Sequence, residues 1–351
     1  MHSIGAACVG TPRHGWSDVS DRVMGAKIRI GLAGAGWVSA FHLSAWQSLH
    51  DVDVVAIADV DRSRAVHRAR EFAIAQVRQD VAEMLALDRL DAIDIASPVE
   101  THVEQCRLAA DQGIAILCQK PLATTLVEAR ELVHDVAGKA RLMVNENWRF
   151  RPHYRQVKRW IDDGALGGLQ QMRLATRSSG LIADASGTRP ALSRQPFLGT
   201  LSRLIIGELL IHHLDVTRWL LGALEVRDAV ALRGLVKGEH AATILLSSSK
   251  GPTAVVEGNM AAAGFPLVPM DTLEIVGTRS SVRLDGDELV LSGARTERQQ
   301  LDLVGNYQQG FSNAAAHFAE CLRHDLPFET EGTDNLLTLA LVDAAYAHLS
   351  V

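Results

Sequence analysis

Residues 28–40 read Ile-Arg-Ile-Gly-Leu-Ala-Gly-Ala-Gly-Trp-Val-Ser-Ala. Ile28–Leu32 is a short β-branched run, the mark of a strand. It breaks at Gly34-Ala35-Gly36, and from Val38 to Leu49 the apolar residues recur every three or four positions, the mark of a helix. A glycine pair that closes a strand and opens a helix is the setting in which G-x-G holds a dinucleotide. Gly34 permits the tight turn, and Gly36 lets the backbone of Gly34-Ala35-Gly36-Trp37-Val38 approach a pyrophosphate at the helix N-terminus. The third small residue is Ser39, where Gly or Ala is the rule. The next predicted strand, Val52–Ala58, runs into Asp59, at about the twenty-residue spacing where an acid accepts from the adenosine ribose diol and repels a 2′-phosphate. That favours NAD over NADP. Arg62 and Arg64 keep NADP open, since arginine accommodates the extra phosphate. A plain helix N-cap is the simpler reading of Asp59, and the register of strand, turn, helix and acid outweighs it.

The alternation continues to about Val144. Further β-branched runs fall at Ala92–Ala96, Ile114–Cys118 and Leu142–Val144, with helical spacing over Arg62–Phe72, Val81–Leu87, His102–Gln112 and Leu126–Ala137. Strands alternating with helices imply βαβ units and a parallel sheet covered on both faces, a Rossmann dinucleotide-binding domain over 27–148. After Arg149 the grammar changes. A helix at Tyr154–Asp163 gives way to period-two segments at Gln170–Arg177, Val226–Gly234, Ala241–Ser248, Thr253–Asn259, Thr272–Val276, Ser281–Leu284 and Glu288–Leu291. That succession reads as a large, mainly antiparallel open-faced sheet. A helix over Glu208–Leu221 interrupts it, and helices at Phe311–Leu322 and Asn335–His348 close the chain. The expected fold class is therefore α/β followed by α+β, with 149–351 serving substrate binding and oligomerisation. Residues 1–26 lack periodicity and read as a disordered N-terminal extension or, because Met24 directly precedes the first strand, as a start-site artefact.

The 351 residues carry 35 Lys and Arg against 41 Asp and Glu, a formal net charge of −6. That balance argues against a dedicated nucleic-acid binder, whose phosphate contacts need a basic surface. A content of 47% hydrophobic and 22% charged residues is that of a globular chain, which excludes wholesale disorder. No run approaches the roughly 20 apolar residues of a membrane span. Cys8, Cys106, Cys118 and Cys321 contain no C-x-x-C pair, so neither a disulfide framework nor a zinc site is expected. Met1–Lys27 lacks the apolar core of a signal peptide. The expectation is a cytoplasmic protein with a small-molecule partner, no nucleic acid and no membrane.

Ser97-Pro98-x-x-x-His102 follows the strand at 92–96, and Gln119-Lys120-Pro121 follows that at 114–118. Ligands of open parallel sheets bind beyond the carboxyl ends of the strands, which sets both segments against the cofactor. With Gly34-x-Gly36, Asp59, Asn147-x-Arg149-Phe150, and Glu208-x-x-x-His212-x-x-Asp215 before Trp219-Leu220-Leu221-Gly222, this order resembles the Gfo/Idh/MocA oxidoreductases, the group of glucose–fructose oxidoreductase and inositol 2-dehydrogenase. The resemblance spans about residues 27–351. Gln119 departs from its E-K-P glutamate, Glu208 from the usual Asp, and Leu210 from a Gly. The resemblance implies an NAD-dependent dehydrogenase that transfers hydride from a secondary hydroxyl of a sugar, polyol, cyclitol or sugar acid. It also implies a cis bond before Pro121 and assembly as a homodimer or homotetramer. An NAD-dependent glycosidase and a non-catalytic NAD(P)-binding regulator are the alternatives.

The residues support the same chemistry. A partly desolvated Lys120 just past a sheet strand can exchange protons near neutrality, against the plainer reading of a surface lysine in a turn. Glu208 and His212, four apart on an expected helix, share one face, so the carboxylate would fix the imidazole tautomer, with Asp215 orienting the ring from the other side. A structural Glu–His pair is the alternative. A metal site with His213 is disfavoured because adjacent histidines diverge on a helix, and no metal is expected. Lys120, His212 and Glu208 are thus the expected catalytic residues. Gly34, Ala35, Gly36, Trp37, Val38, Asp59, Ser97, Pro98, His102, Gln119 and Lys120 are expected at the cofactor. Asn147, Trp148, Arg149, His212, His213 and Lys120 are expected at the substrate, with an interdomain salt bridge as the alternative for Arg149. His42 reads as a packing residue. The segment 178–203 reads as a loop near the site, with Arg177, Arg189 and Gln195-Pro196-Phe197 as candidate contacts.

Overall fold

The computed structural model describes residues 26–249 and 251–349, so the expected N-terminal extension lies, apart from Ala26, outside the described residues. β1 (Ile28–Ala33), β2 (Val52–Ala58), β3 (Gln76–Arg78), β4 (Ala92–Ile95), β5 (Ala115–Gln119) and β6 (Leu142–Asn145) form one sheet in the order 3-2-1-4-5-6, every pair parallel. β1 leaves only Arg29 exposed, the near-continuous burial that cover on both faces imposes. β3, a three-residue edge strand of sequence Gln-Val-Arg, is too short and polar to show in the pattern. The strand order reverses between β1 and β4, which opens a crevice at their carboxyl ends. Beneath it His42 is indeed buried, its Nδ1 2.8 Å from Asp94 Oδ2 on β4.

The second sheet contains β7 (Leu169–Arg177), β8 (Glu225–Leu232), β9 (Ala241–Ser247), β10 (Thr253–Asn259), β11 (Met270–Gly277), β12 (Ser280–Asp285), β13 (Glu288–Gly293) and β14 (Glu297–Gln300). Its order is 14-13-12-11-7-10-9-8, with β7 and β10 parallel and the remaining pairs antiparallel. The helices Ile211–Leu221 and Gly332–Leu349 lie against one face. The other face exposes Val230, Leu232, Leu245 and Val276 around the Arg173–Glu257 ion pair. All strands of the first sheet precede residue 149 and all of the second follow it. The helix Leu303–His324, however, is longer than the predicted Phe311–Leu322 and returns to the first sheet, where Phe311, Ala315 and Phe318 pack with Ile28, Ile30 and Trp46. No helix among the described residues is long and apolar enough to cross a membrane.

One element departs from the expectation in a way that matters for the site. The helix predicted over Glu208–Leu221 is a π-turn, Ile205–Leu210, followed by the α-helix Ile211–Leu221. A wide turn leaves backbone donors without regular partners. Here Ile206 N–H donates to Glu239 Oε1 at 3.4 Å and Gly207 N–H to the Tyr346 hydroxyl at 3.1 Å. Gly258 on β10 makes room for the turn, since a Cβ there would stand 2.9 Å from both Ile205 Cδ1 and Leu210 Cδ2. These partners come from far along the chain, so local spacing could not announce the turn.

Candidate active site

A cavity of about 1500 Å³ runs from the carboxyl ends of β1, β4 and β5 to the second sheet. It exceeds the roughly 300–1,000 Å³ of a site for one drug-sized ligand, so it has room for a dinucleotide and a second small molecule. At one end stand Gly34, Gly36, Trp37, Val38, Asp59, Ser97, Pro98 and His102. Gly34 has φ +97°, and a Cβ on it would come within 2.7 Å of the Ala96 backbone; a Cβ on Gly36 would meet nothing within 4 Å. The loop is thus closed where it packs on β4 and open where a phosphate must approach, at the first turn of a helix whose leading N–H groups have no intrahelical acceptor. Ala35 does not line the cavity; its N–H donates to Asp59 Oδ2 at 2.7 Å. Asp59 Oδ1 accepts from Asp61 N–H at 2.8 Å and from Arg64 Nη2 at 3.2 Å, which pairs one of the two arginines that could meet a 2′-phosphate with the acid. Gln119 Oε1 is buried on the cavity wall without a partner. An open glycine loop, an acid at its rim and an unmet acceptor fit a nicotinamide dinucleotide.

At the other end stand Lys120 and His212. The Lys120–Pro121 bond is cis, and the buried His102 ring spans the carbonyls of Pro121 (2.9 Å) and Ser97 (3.0 Å), tying the two turns together. Lys120 Nζ, on a side chain only 6% exposed, donates to the Glu208 carbonyl at 2.7 Å and pairs with its Oε1 at 2.9 Å. Glu208 therefore holds Lys120, not His212. The π-turn breaks the four-residue register on which the expected Glu208–His212 pair depended. Asp215 does not reach His212 either: it accepts from Arg149 Nε and Nη2 (2.5 and 2.6 Å) and from Thr338 Oγ1 (2.8 Å).

The partner of His212 is Glu146, just past β6: Nδ1 lies 2.9 Å from Glu146 Oε2, and Asn335 Nδ2 donates to Oε1 at 3.1 Å. Trp148 stacks on the imidazole with centroids 3.9 Å apart and planes 9° from parallel, and the Arg151 guanidinium packs on the same indole at 3.5 Å. Burial, then the charge of Lys120, holds the His212 imidazolium well below its ordinary range, so the ring is neutral at neutral pH. Burial pushes Glu146 up, opposed by Lys120, Arg149 and the Asn335 hydrogen bond. With Nδ1–H given to the Glu146 carboxylate, Nε2 keeps its lone pair.

Two expected substrate residues do not line the cavity. Arg149 is buried on Asp215 and on Asp334 Oδ2 at 2.6 Å, the salt-bridge alternative for this residue. His213 turns from His212 to place Nε2 2.9 Å from Asp271 Oδ1 and Nδ1 3.2 Å from the Leu209 carbonyl. Asn147, Trp148 and Arg151 do line it, and both amide atoms of Asn147 are buried there without partners. Asp271 gathers donors from His213, Tyr154 (2.9 Å) and Trp148 (3.3 Å), and despite burial His213, then Arg151, holds it far below the carboxylate range. Of the loop candidates, Gln195, Pro196 and Phe197 line the cavity. Arg177 pairs with Glu257 at 2.9 Å and Arg189 donates to the Leu181 carbonyl at 3.1 Å.

Fold and site together define a dinucleotide-dependent oxidoreductase. Residues 28–146 match the GFO/IDH/MocA oxidoreductase family, NAD-binding Rossmann fold, and residues 154–283 match the GFO/IDH/MocA C-terminal domain. The chain belongs to this family. It is 34% identical to the D-apiose dehydrogenase of Paraburkholderia graminis over 90% of this chain and 86% of that one. With the inositol 2-dehydrogenase of Rhizobium meliloti it shares 27% identity over 91% and 96%. Among solved structures, an oxidoreductase from Agrobacterium radiobacter in complex with NAD+, L-tartaric acid and magnesium superposes with a TM-score of 0.86 at 29% identity, covering 93% of this chain and 97% of that one.

Proposed function

We propose that this protein oxidises a secondary alcohol of a sugar or polyol to the ketone or lactone, with NAD+ as hydride acceptor and His212 as the base. The observation that carries the reading is the Glu146–His212 hydrogen bond, which leaves a neutral imidazole with its Nε2 lone pair free on a cavity that Lys120 also lines. Bound along the glycine loop, NAD+ supplies the acceptor for the hydride. The hydroxyl proton passes to His212 Nε2 as the C–H bond breaks, and the resulting imidazolium is stabilised by the Glu146 carboxylate. An ammonium has three donors. Two of those on Lys120 go to Glu208, and the third serves the substrate oxygen as negative charge develops on it. Trp148 holds the imidazole plane, and Asn147 and Arg151 offer polar groups to the remaining hydroxyls. The engagement of Arg64 with Asp59 supports NAD over NADP.

The likeness to apiose and inositol dehydrogenases supports a carbohydrate substrate. The unpaired buried thiols Cys106, Cys118 and Cys321 suit the cytoplasm. The apolar positions on the open sheet face suit a homo-oligomer, which light scattering would report as a dimer or tetramer; a monomer at micromolar concentration overturns that part. The test of function is NADH absorbance with a panel that includes D-apiose, myo-inositol, aldoses and sugar acids. Turnover of at least one member is expected. NAD binding without NADH formation from any of them refutes the dehydrogenase reading, and sugar release from glycosides without net NADH replaces it with the glycosidase.

A further inference from the structure

The segment before the C-terminal helix is stitched to β6. Val144 N–H donates to the Thr330 carbonyl at 2.8 Å, Thr330 Oγ1 donates to the Val144 carbonyl at 2.6 Å, and Met143 bridges to Glu331. Glu146 is the second residue past Val144 and Asn335 lies in the first turns of the helix Gly332–Leu349, so this register sets the two side by side. The same helix face holds the rest of the wall. Asp334 takes Arg149 and Arg218 (2.6 and 2.7 Å), and Thr338 donates to Asp215, three residues from His212. Asn335 is fully buried, and among the described residues the one hydrogen bond its side chain makes is to Glu146. A buried amide usually satisfies more of its capacity than this.

We propose that Asn335 is a positioning residue of the reaction centre, acting through Glu146 to keep His212 in the tautomer whose Nε2 faces the substrate. The inference rests on His212 as base. Two proton arrangements compete at the pair. With Glu146 ionised, it accepts from His212 Nδ1–H and Nε2 is free. With Glu146 protonated, its O–H donates to Nδ1, the ring proton sits on Nε2, and no base remains. The Asn335 donor favours the ionised form, because a hydrogen bond to a carboxylate stabilises its charge. The other groups facing the pair act in both directions. Lys120, Arg149 and Arg218 favour the Glu146 carboxylate while burial opposes it; around His212, burial, Lys120, His213 and Arg151 oppose the imidazolium while Asp215 favours it. Activity therefore rises with pH as Glu146 ionises, and removing the Asn335 donor moves that rise to higher pH.

The test compares Asn335→Leu and Asn335→Asp with the unmodified protein by the pH dependence of kcat and by ¹⁵N NMR of the histidine rings in the NAD-bound enzyme. In Asn335→Leu the acid limb should move up by about one pH unit, the scale of one charge-assisted hydrogen bond, and in Asn335→Asp by more, because a second buried carboxyl beside Glu146 opposes its ionisation; NAD affinity should be unchanged in both. The His212 ring should hold its proton on Nε2 at a pH where the unmodified protein holds it on Nδ1. A lower melting temperature with the acid limb and the ¹⁵N shifts unmoved makes Asn335 merely structural and overturns the proposal. Because the NMR readout needs no turnover, it also separates this failure from a failure of the dehydrogenase reading: absent activity with the expected tautomer change would leave Asn335 in place and remove the reaction.

Discussion

Replacing Glu146 by Gln tests the base directly. Asn335 Nδ2 donates to Oε1, so the new amide must present its carbonyl there and its NH2 at the position of Oε2, 2.9 Å from His212 Nδ1. An NH2 in that place donates to Nδ1 and so forces the ring proton onto Nε2, the wrong tautomer for a base. Restoring the productive tautomer means giving up that bond and the lost charge-assisted one, about 1.5–3 kcal/mol. At 1.36 kcal/mol per decade that is roughly one to two powers of ten in kcat. Complete loss of base catalysis would reach about 10²–10⁴. The expected result is therefore a kcat lowered about 100-fold at pH 7 and followed by NADH absorbance, with NAD affinity by calorimetry unchanged, since Glu146 does not line the cavity. A Glu146→Gln protein that turns over within about threefold of the unmodified enzyme would refute the assignment and shift proton transfer to Lys120.

Three further outcomes follow from the geometry. Arg149→Met removes the bidentate partner of the fully buried Asp215 carboxylate, so chemical denaturation should show a loss of about 3–5 kcal/mol, and adding Asp215→Leu should recover much of it; a change in KM alone would return Arg149 to the substrate. The Asp271 carboxyl is held below its unfolded value of about 3.9, so its contribution is complete above that pH and is lost as pH falls below it. Asp271→Asn should accordingly be less stable at pH 7 and lose less on acidification, as read by urea midpoints between pH 7 and pH 2. Asp59→Ala removes the acceptor of Ala35 N–H together with the ribose acid, so NAD affinity should fall by tenfold or more and the margin over NADP should narrow; tighter NADP binding by the unmodified protein would contradict the role of Asp59.

What could be read from the chain was the chemistry at the ends of the parallel strands. Gly34, Gly36, Asp59, Ser97, Gln119 and Lys120 each follow a β-branched run, and one rule, that ligands gather beyond carboxyl ends, puts them all at the cavity, whereas Ala35 between the two glycines turns inward to Asp59. The same rule, applied to β6, would have picked out Glu146. Local spacing does not announce its role, because its partner lies 66 positions away. Glu208 failed for a different reason. Its pairing with His212 assumed α-helical rotation, and one wide turn, admitted by Gly258 and held by Glu239 and Tyr346, gives its carboxylate to Lys120 instead. Periodicity reports which face a residue occupies only while hydrogen bonding stays regular, and single π-turns that interrupt it are frequent at functional sites. Lys120 takes both the backbone carbonyl and the carboxylate of Glu208, so the irregular turn that misled the local reading is what allows this site to fix its lysine.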